Sequence, residues 1–313
     1  MVKKLGSNKQ NIVVTGGAGF IGTNLIKRLV KDGHNVVSLD NYSTGTKSNH
    51  ILIPDNCHYV DCDISEGVSD LYGYHPKFNA MENPDLIFHL AALPRIQPSF
   101  DYPNKTFDSN VKGTINVLEY AREKNNCPVV FAGSSSTHGD KYANPYTFTK
   151  WQGEEICKMY SEIYDLPTSI CRFYNVYGPH QLTEGEYCTV IGIFERQMLD
   201  KVELTVTGDG EQKRDFTHVD DIVDGLMRCG EHFNFRGDEF EFGRGENFSI
   251  NVIAQSFDWG YTYIPKRPGE MRETLCTDTK AKEMLGWEPK HNILDYIEER
   301  RNEIIDIHNS KSE

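Results

Sequence analysis

The 313-residue chain has no apolar run near the roughly 20 residues that a membrane-spanning helix requires. Its first ten residues, MVKKLGSNKQ, carry lysines but no apolar stretch behind them, so they do not read as a secretory signal. None of the eight cysteines forms a C-x-x-C pair, and neither a zinc site nor a disulfide framework is indicated. Reduced thiols in a cytoplasmic setting are expected. Positive charge is scarce: 33 lysines and arginines face 46 acidic residues, a formal net charge of −13. That balance argues against a nucleic-acid binder and against anionic membrane surfaces. It leaves room for a local basic pocket. No Ser/Gly/Pro-rich linker, internal repeat or low-complexity segment divides the chain.

Short β-branched runs alternate with longer amphipathic stretches in the first half. NIVVT (11–15), NVVSLD (35–40), HYVDCD (58–63), LIFHLA (86–91) and PVVFAG (128–133) predict strands. Residues 20–33, 106–125 and 146–165 predict helices between them. Nearly continuous apolar strands separated by helices imply a parallel sheet covered on both faces. The right-handed crossover rule makes this an α/β, Rossmann-like, doubly wound fold. Residues 1–175 are expected to form that domain. Residues 176–313 are expected to form a smaller mixed α/β lobe, with helices at 188–200 and 219–230 and parts of the chain returning to the sheet. Two lobes without a linker share a fixed cleft, where ligands bind.

VVTGGAGFIGTNL places Gly16, Gly19 and Gly22 between the first strand and the first helix. Small residues there let the backbone approach a pyrophosphate, and the helix N-terminus offers free N–H groups and partial positive charge. The next strand ends at Asp40, eighteen residues after Gly22. A carboxylate at that point accepts hydrogen bonds from ribose hydroxyls and repels a 2′-phosphate, which favours NAD over NADP. Further on, SSSTHGDKYANPYTFTK sets three serines ahead of Tyr146 and Lys150. Residues four apart share a helix face. A cation beside a phenol, whose ordinary pKa is about 10, makes it a usable base near neutrality. The same spacing also suits a plain amphipathic helix start.

Eleven motifs in sequence order change that balance. They are TGGAGFIG, LDNYSTG, CDI, HLAA, NVKGTINVLE, the serine run, Tyr146-x-x-x-Lys150, RFYNVYGP, GDGEQKRDFTHVDD, RPGE and KAKEMLGWEP. With them the chain resembles the extended short-chain dehydrogenase/reductase family, in particular its NAD-dependent nucleotide-sugar epimerases and dehydratases, from Ile12 to about Ile297. The resemblance implies that Tyr146 and Lys150 are the catalytic pair beside the nicotinamide, with Lys150 and the nicotinamide charge lowering the Tyr146 pKa. It implies Ser134 as the catalytic serine, with Ser135 as fallback. It places Gly16, Gly19, Phe20, Ile21, Gly22, Asp40 and Asn41 on the cofactor, and Asp63 and Ile64 at its adenine. Ala91, Ala92 and Asn110 run along the cofactor or brace the site. Asn175, Arg214 and Arg267 would meet the nucleotide sugar, and Thr274, or Leu275 in a shifted alignment, the C2 side of the sugar.

The chain departs from the family in three places. The loop between Gly139 and Tyr146 is short, His138 stands where the family has tyrosine, and residues 249–264 read as missing a helix. The residues after Ser134 are Ser135 and Ser136, where related dehydratases and decarboxylases carry carboxylates. The resemblance therefore implies C4 epimerisation of a UDP-sugar by a homodimer. Decarboxylation or 4,6-dehydration is the enzymatic alternative, and a non-catalytic NAD-binding regulator the alternative of another class.

Overall fold

The computed structural model describes residues 9–52, 57–68, 82–232 and 234–310. Residues 1–8, most of the N-terminal stretch considered above, lie outside the described residues. The strands are β1 (Asn11–Thr15), β2 (Asn35–Asp40), β3 (Cys57–Asp61), β4 (Leu86–His89), β5 (Val129–Ser134), β6 (Thr168–Phe173), β7 (Val176–Tyr177), β8 (Leu204–Thr207), β9 (Lys213–Asp215), β10 (Thr217–His218), β11 (Arg236–Phe242), β12 (Asn247–Ser249) and β13 (Tyr261–Ile264). Seven of them form one sheet in the order β11-β6-β5-β4-β1-β2-β3, every neighbouring pair parallel. The order reverses between β1 and β4, and the crevice beyond the strand ends at such a reversal is where ligands bind.

Alternation along the strands feeds two cores. Ile12 and Val14 of β1 pack with Leu25, Ile26 and Leu29 of the helix Phe20–Lys31 and with Ile222 and Leu226 of the helix Val219–Gly230. Val13, between them, points to the opposite face, with Val117, Leu118, Cys157 and Tyr160. The doubly wound sheet is thus covered on both sides. A third core, with Ile191, Phe194, Met198, Val206, Phe257 and Ile297, fills the smaller lobe, whose strands pair as β7–β10, β9–β12 and β8–β13.

The structure departs from the sequence reading in detail. The segment expected as one helix over 106–125 consists of the helix Pro103–Phe107, a π-helical turn Asp108–Lys112 and the helix Gly113–Glu123. Residues 249–264, read as lacking a helix, contain one at Ile250–Ser256. β6 and β11 were not named as strands above; β11 brings the chain back to the sheet from the smaller lobe. All eight cysteines are free. Among the described residues, no helix is long and apolar enough to cross a membrane.

Candidate active site

A cleft of about 790 Å³ opens at the C-terminal ends of β1, β4 and β5 and is walled on its far side by the smaller lobe. Glycine is required at its floor. Gly16 has φ +73°, and a Cβ on it would lie 2.8 Å from the Ala91 nitrogen; one on Gly22 would lie 2.1 Å from the Gly16 carbonyl oxygen. The helix Phe20–Lys31 starts from Gly19 without a side-chain cap, so its first N–H groups face the cleft unclaimed by a side chain. Gly16, Gly19, Phe20, Ile21 and Gly22 all line this end, as do Asp40, Asn41, Asp63 and Ile64. Asp40 also organises the loop: its Oδ2 accepts the Ala18 N–H at 2.9 Å and its Oδ1 the Tyr42 N–H at 2.8 Å. Asn41 donates to Asp63 at 2.9 Å.

The helix Pro145–Tyr164 begins sharply because the Asn144 side chain accepts the Thr147 N–H at 2.8 Å and Pro145 occupies the first turn. That start sets Tyr146 at the cleft, where its still-unpaired N–H donates to Ser99 Oγ at 3.1 Å. The Tyr146 hydroxyl donates to Ser134 Oγ at 3.1 Å. Ser134 ends β5, and its Oγ also accepts the Ser136 N–H and lies 2.9 Å from Ser136 Oγ. Ser134, not the fallback Ser135, is therefore the serine that Tyr146 reaches. Lys150, one turn along, is buried and donates from Nζ to the Ala132 carbonyl at 2.5 Å. Burial pulls its pKa down to about 8.

Burial raises the Tyr146 pKa above its ordinary value, opposed by the Ser134 hydrogen bond and by the charge of Arg95. In the protein alone the cation acting on this phenol is Arg95, and Lys150 is turned to a main-chain carbonyl instead.

Behind Ser134 lies a buried charged network. Glu154, fully buried and four residues past Lys150, accepts the Ser134 N–H at 3.2 Å and the Arg172 guanidinium at 2.7 Å. Arg172 also reaches Glu239 at 2.6 Å and Glu241 at 3.0 Å. His138 pairs with Glu241 at 3.0 Å, and that hydrogen bond raises its pKa. The residue that departs from the family is thus joined to the network under the serine.

On the far wall, the Asn175 side chain donates to the Asp215 carbonyl and to Thr274 Oγ1, both at 3.1 Å. Thr274 lines the cleft, while Leu275 is exposed and does not. Arg214 lies 3.7 Å from Glu270. Arg267 is exposed at the rim. Ala91 and Ala92 line the floor. Besides the alternative Leu275, Asn110 is the anticipated residue that does not line the cleft. It is buried, accepts the Leu93 N–H at 2.8 Å and donates to Thr149 at 3.1 Å, which makes it a brace between the β4 loop and the Tyr146 helix. Sequence reading missed Arg95 and Glu154. Glu154 carried a usable signal, since 146, 150 and 154 recur at helical spacing; Arg95 lies in LPRIQPS, which has no such periodicity.

The geometry joins a dinucleotide-sized groove to a hydrogen-bonded tyrosine and serine, with arginines on the opposite wall. Such a site can bind a diphosphate and move a proton at a hydroxyl beside Tyr146.

Comparison with known proteins agrees. The profile of the NAD dependent epimerase/dehydratase family matches residues 12–243. The chain is 32% identical over 305 residues to a putative UDP-glucose 4-epimerase of Methanocaldococcus jannaschii, covering 91% of this chain and 95% of that protein. It is 34% identical over 299 residues to a UDP-glucose 4-epimerase of Mycolicibacterium smegmatis, covering 89% and 93%. It superposes with a TM-score of 0.82 and 26% identity on a UDP-glucuronic acid 4-epimerase of Bacillus cereus in complex with UDP-glucuronic acid and NAD, covering 95% of this chain and 99% of that one.

Proposed function

The chain belongs to the NAD-dependent epimerase/dehydratase family, and from that premise we propose that it epimerises C4 of a UDP-sugar through a 4-keto intermediate. The observation that carries the reading is the Tyr146 hydroxyl bonded to Ser134 Oγ inside the cleft. The cofactor end fits NAD. The turn at Gly16 and Gly22 leaves no room for a Cβ, the helix N-terminus after Gly19 faces an approaching pyrophosphate, and Asp40 lines the groove as a carboxylate. NAD bound there supplies a reversible two-electron oxidant at C4. Tyr146 takes the proton of the C4 hydroxyl and later returns it to the C4 oxygen, and inversion would follow from hydride returning to the opposite face of C4. Ser134 holds the C4 oxygen by hydrogen bond. Lys150 fixes the site from beneath through Ala132. Asn175, Arg214 and Arg267 face the nucleotide sugar, the arginines matched to its diphosphate.

The residues after Ser134 are Ser135 and Ser136, so no carboxylate stands beside it to expel water or to assist loss of carbon dioxide. This favours epimerisation over dehydration and decarboxylation. Incubating the NAD-loaded protein with a panel of UDP-sugars and assigning products by NMR tests the reading. C4 epimers are expected; 4-keto-6-deoxy sugars or pentoses would replace it with an alternative.

A further inference from the structure

Arg95 follows β4 at the cleft and belongs to no motif used above. Its loop is tied down on both sides. Ser99 accepts the Tyr146 N–H at 3.1 Å, and Gln97 Nε2 donates to the Pro268 carbonyl at 2.8 Å. The guanidinium Nε donates to the Tyr187 carbonyl at 2.9 Å, which fixes the plane of the fork. Among the described residues, no carboxylate pairs with Arg95; Glu270, the acid whose charge reaches it, lies 3.7 Å from Arg214. A half-buried cation without a counter-ion is costly, and burial pulls the Arg95 pKa down accordingly. Arg95 lines the cleft, and its guanidinium has further N–H donors beyond the one spent on Tyr187.

The diphosphate does not need this residue. Arg214, Arg267 and the helix N-terminus after Gly19 already supply positive charge for phosphates. Arg95 lies instead at the reacting end: its loop is pinned to Tyr146 through Ser99, and Arg95 lines the same cleft as Ser134 and Tyr146. A sugar with its C4 hydroxyl at Tyr146 carries C6 only two bonds from C4.

We propose that Arg95 is the specificity residue of the cleft and selects a UDP-hexuronic acid over the neutral sugar, its guanidinium fork binding the C6 carboxylate. The proposal rests on the UDP-sugar reading given above. A planar fork and a carboxylate match in a bidentate pair, which an uncharged hydroxymethyl group cannot replace.

The test measures Kd and kcat/KM on NAD-loaded protein for UDP-glucuronate and UDP-glucose, and Kd for UDP alone, in wild type, Arg95→Gln and Arg95→Lys. Wild type should favour UDP-glucuronate by about tenfold or more. Arg95→Gln should raise the Kd for UDP-glucuronate roughly 30-fold, equivalent to about 2 kcal/mol, and the Kd for UDP-glucose and UDP by less than about threefold, while any kcat loss from its charge on Tyr146 is shared by both sugars. Arg95→Lys should keep part of the preference. Equal changes in Kd for the two sugars would show that Arg95 does not read the carboxylate, and a weakened Kd for UDP itself would make it a phosphate ligand; either overturns the proposal. So does a wild type that prefers UDP-glucose, a result that needs no variant to fold. If neither sugar is epimerised, the epimerase reading falls, and the Kd comparison still decides Arg95.

Discussion

Replacing Glu154 with leucine removes the carboxylate that holds Ser134 from behind. Glu154 is fully buried and accepts the Ser134 N–H and two Arg172 donors. Leucine leaves the Ser134 N–H without its acceptor and takes one of three carboxylates from Arg172, which keeps Glu239 and Glu241. Breaking a buried pair from one side costs about 3–5 kcal/mol. With an unfolding entropy of about 2.1 cal/mol/K per residue, a chain of 313 residues loses about 5–8 °C in Tm. Glu154→Gln keeps an acceptor oxygen for Ser134 but turns an NH2 toward Arg172, which retains Glu239 and Glu241, so its cost is about 1–3 kcal/mol, or about 2–5 °C. Because Ser134 carries the Tyr146 hydrogen bond, the leucine variant should also lose kcat, and the glutamine variant far less. Differential scanning fluorimetry and NMR-monitored turnover on the same samples read both effects. A leucine variant melting within 2 °C of wild type with unchanged kcat would refute the argument that Glu154 positions Ser134.

Three further outcomes follow from the site and its surroundings. Asp40 should make NAD bind at least about tenfold tighter than NADP, about 1.4 kcal/mol, in titrations of the apo-protein; equal affinities would remove Asp40 from the ribose site. Thr274→Tyr should lose UDP-N-acetylglucosamine selectively against UDP-glucose in kcat/KM, since overfilling penalises the larger C2 group; equal losses would show that Thr274 is not a gate. Ile115, Met159, Ile163 and Tyr164 leave apolar surface exposed on the helices Gly113–Glu123 and Pro145–Tyr164. A dimer through these helices predicts that Ile163→Glu shifts the protein to monomer in light scattering, and a wild type already monomeric would contradict it.

Five strands of the sheet, β1 to β5, were legible because each is a short, largely apolar run, and the helices predicted among them leave a doubly wound parallel sheet as the economical topology. β11 was not assigned beyond the expected return of the chain to the sheet, because only its last four residues, EFEF, alternate acid with aromatic. Its acids are satisfied at the sheet edge, Glu239 and Glu241 by Arg172 of β6 and Asp238 by Lys280. The break in the helix expected over 106–125 was invisible for a related reason. The π turn carries Asn110 into a tertiary bond with the Leu93 backbone, and local periodicity does not record a partner 17 residues away. In the cleft, the glycines, Tyr146 and Lys150 announced themselves by spacing. The electrostatics did not: that Lys150 turns to Ala132 and Arg95 to the Tyr146 end depends on how separate segments meet.

The central claim is that Tyr146 moves the proton at C4. The most direct measurement is kcat for Tyr146→Phe on the best UDP-sugar of the panel, with the Kd of the same sugar measured alongside. Loss of the general base should lower kcat by about 10²–10⁴-fold, with Kd within about threefold of wild type because phenylalanine fills nearly the same volume. A variant that retains more than half of wild-type turnover would contradict the account.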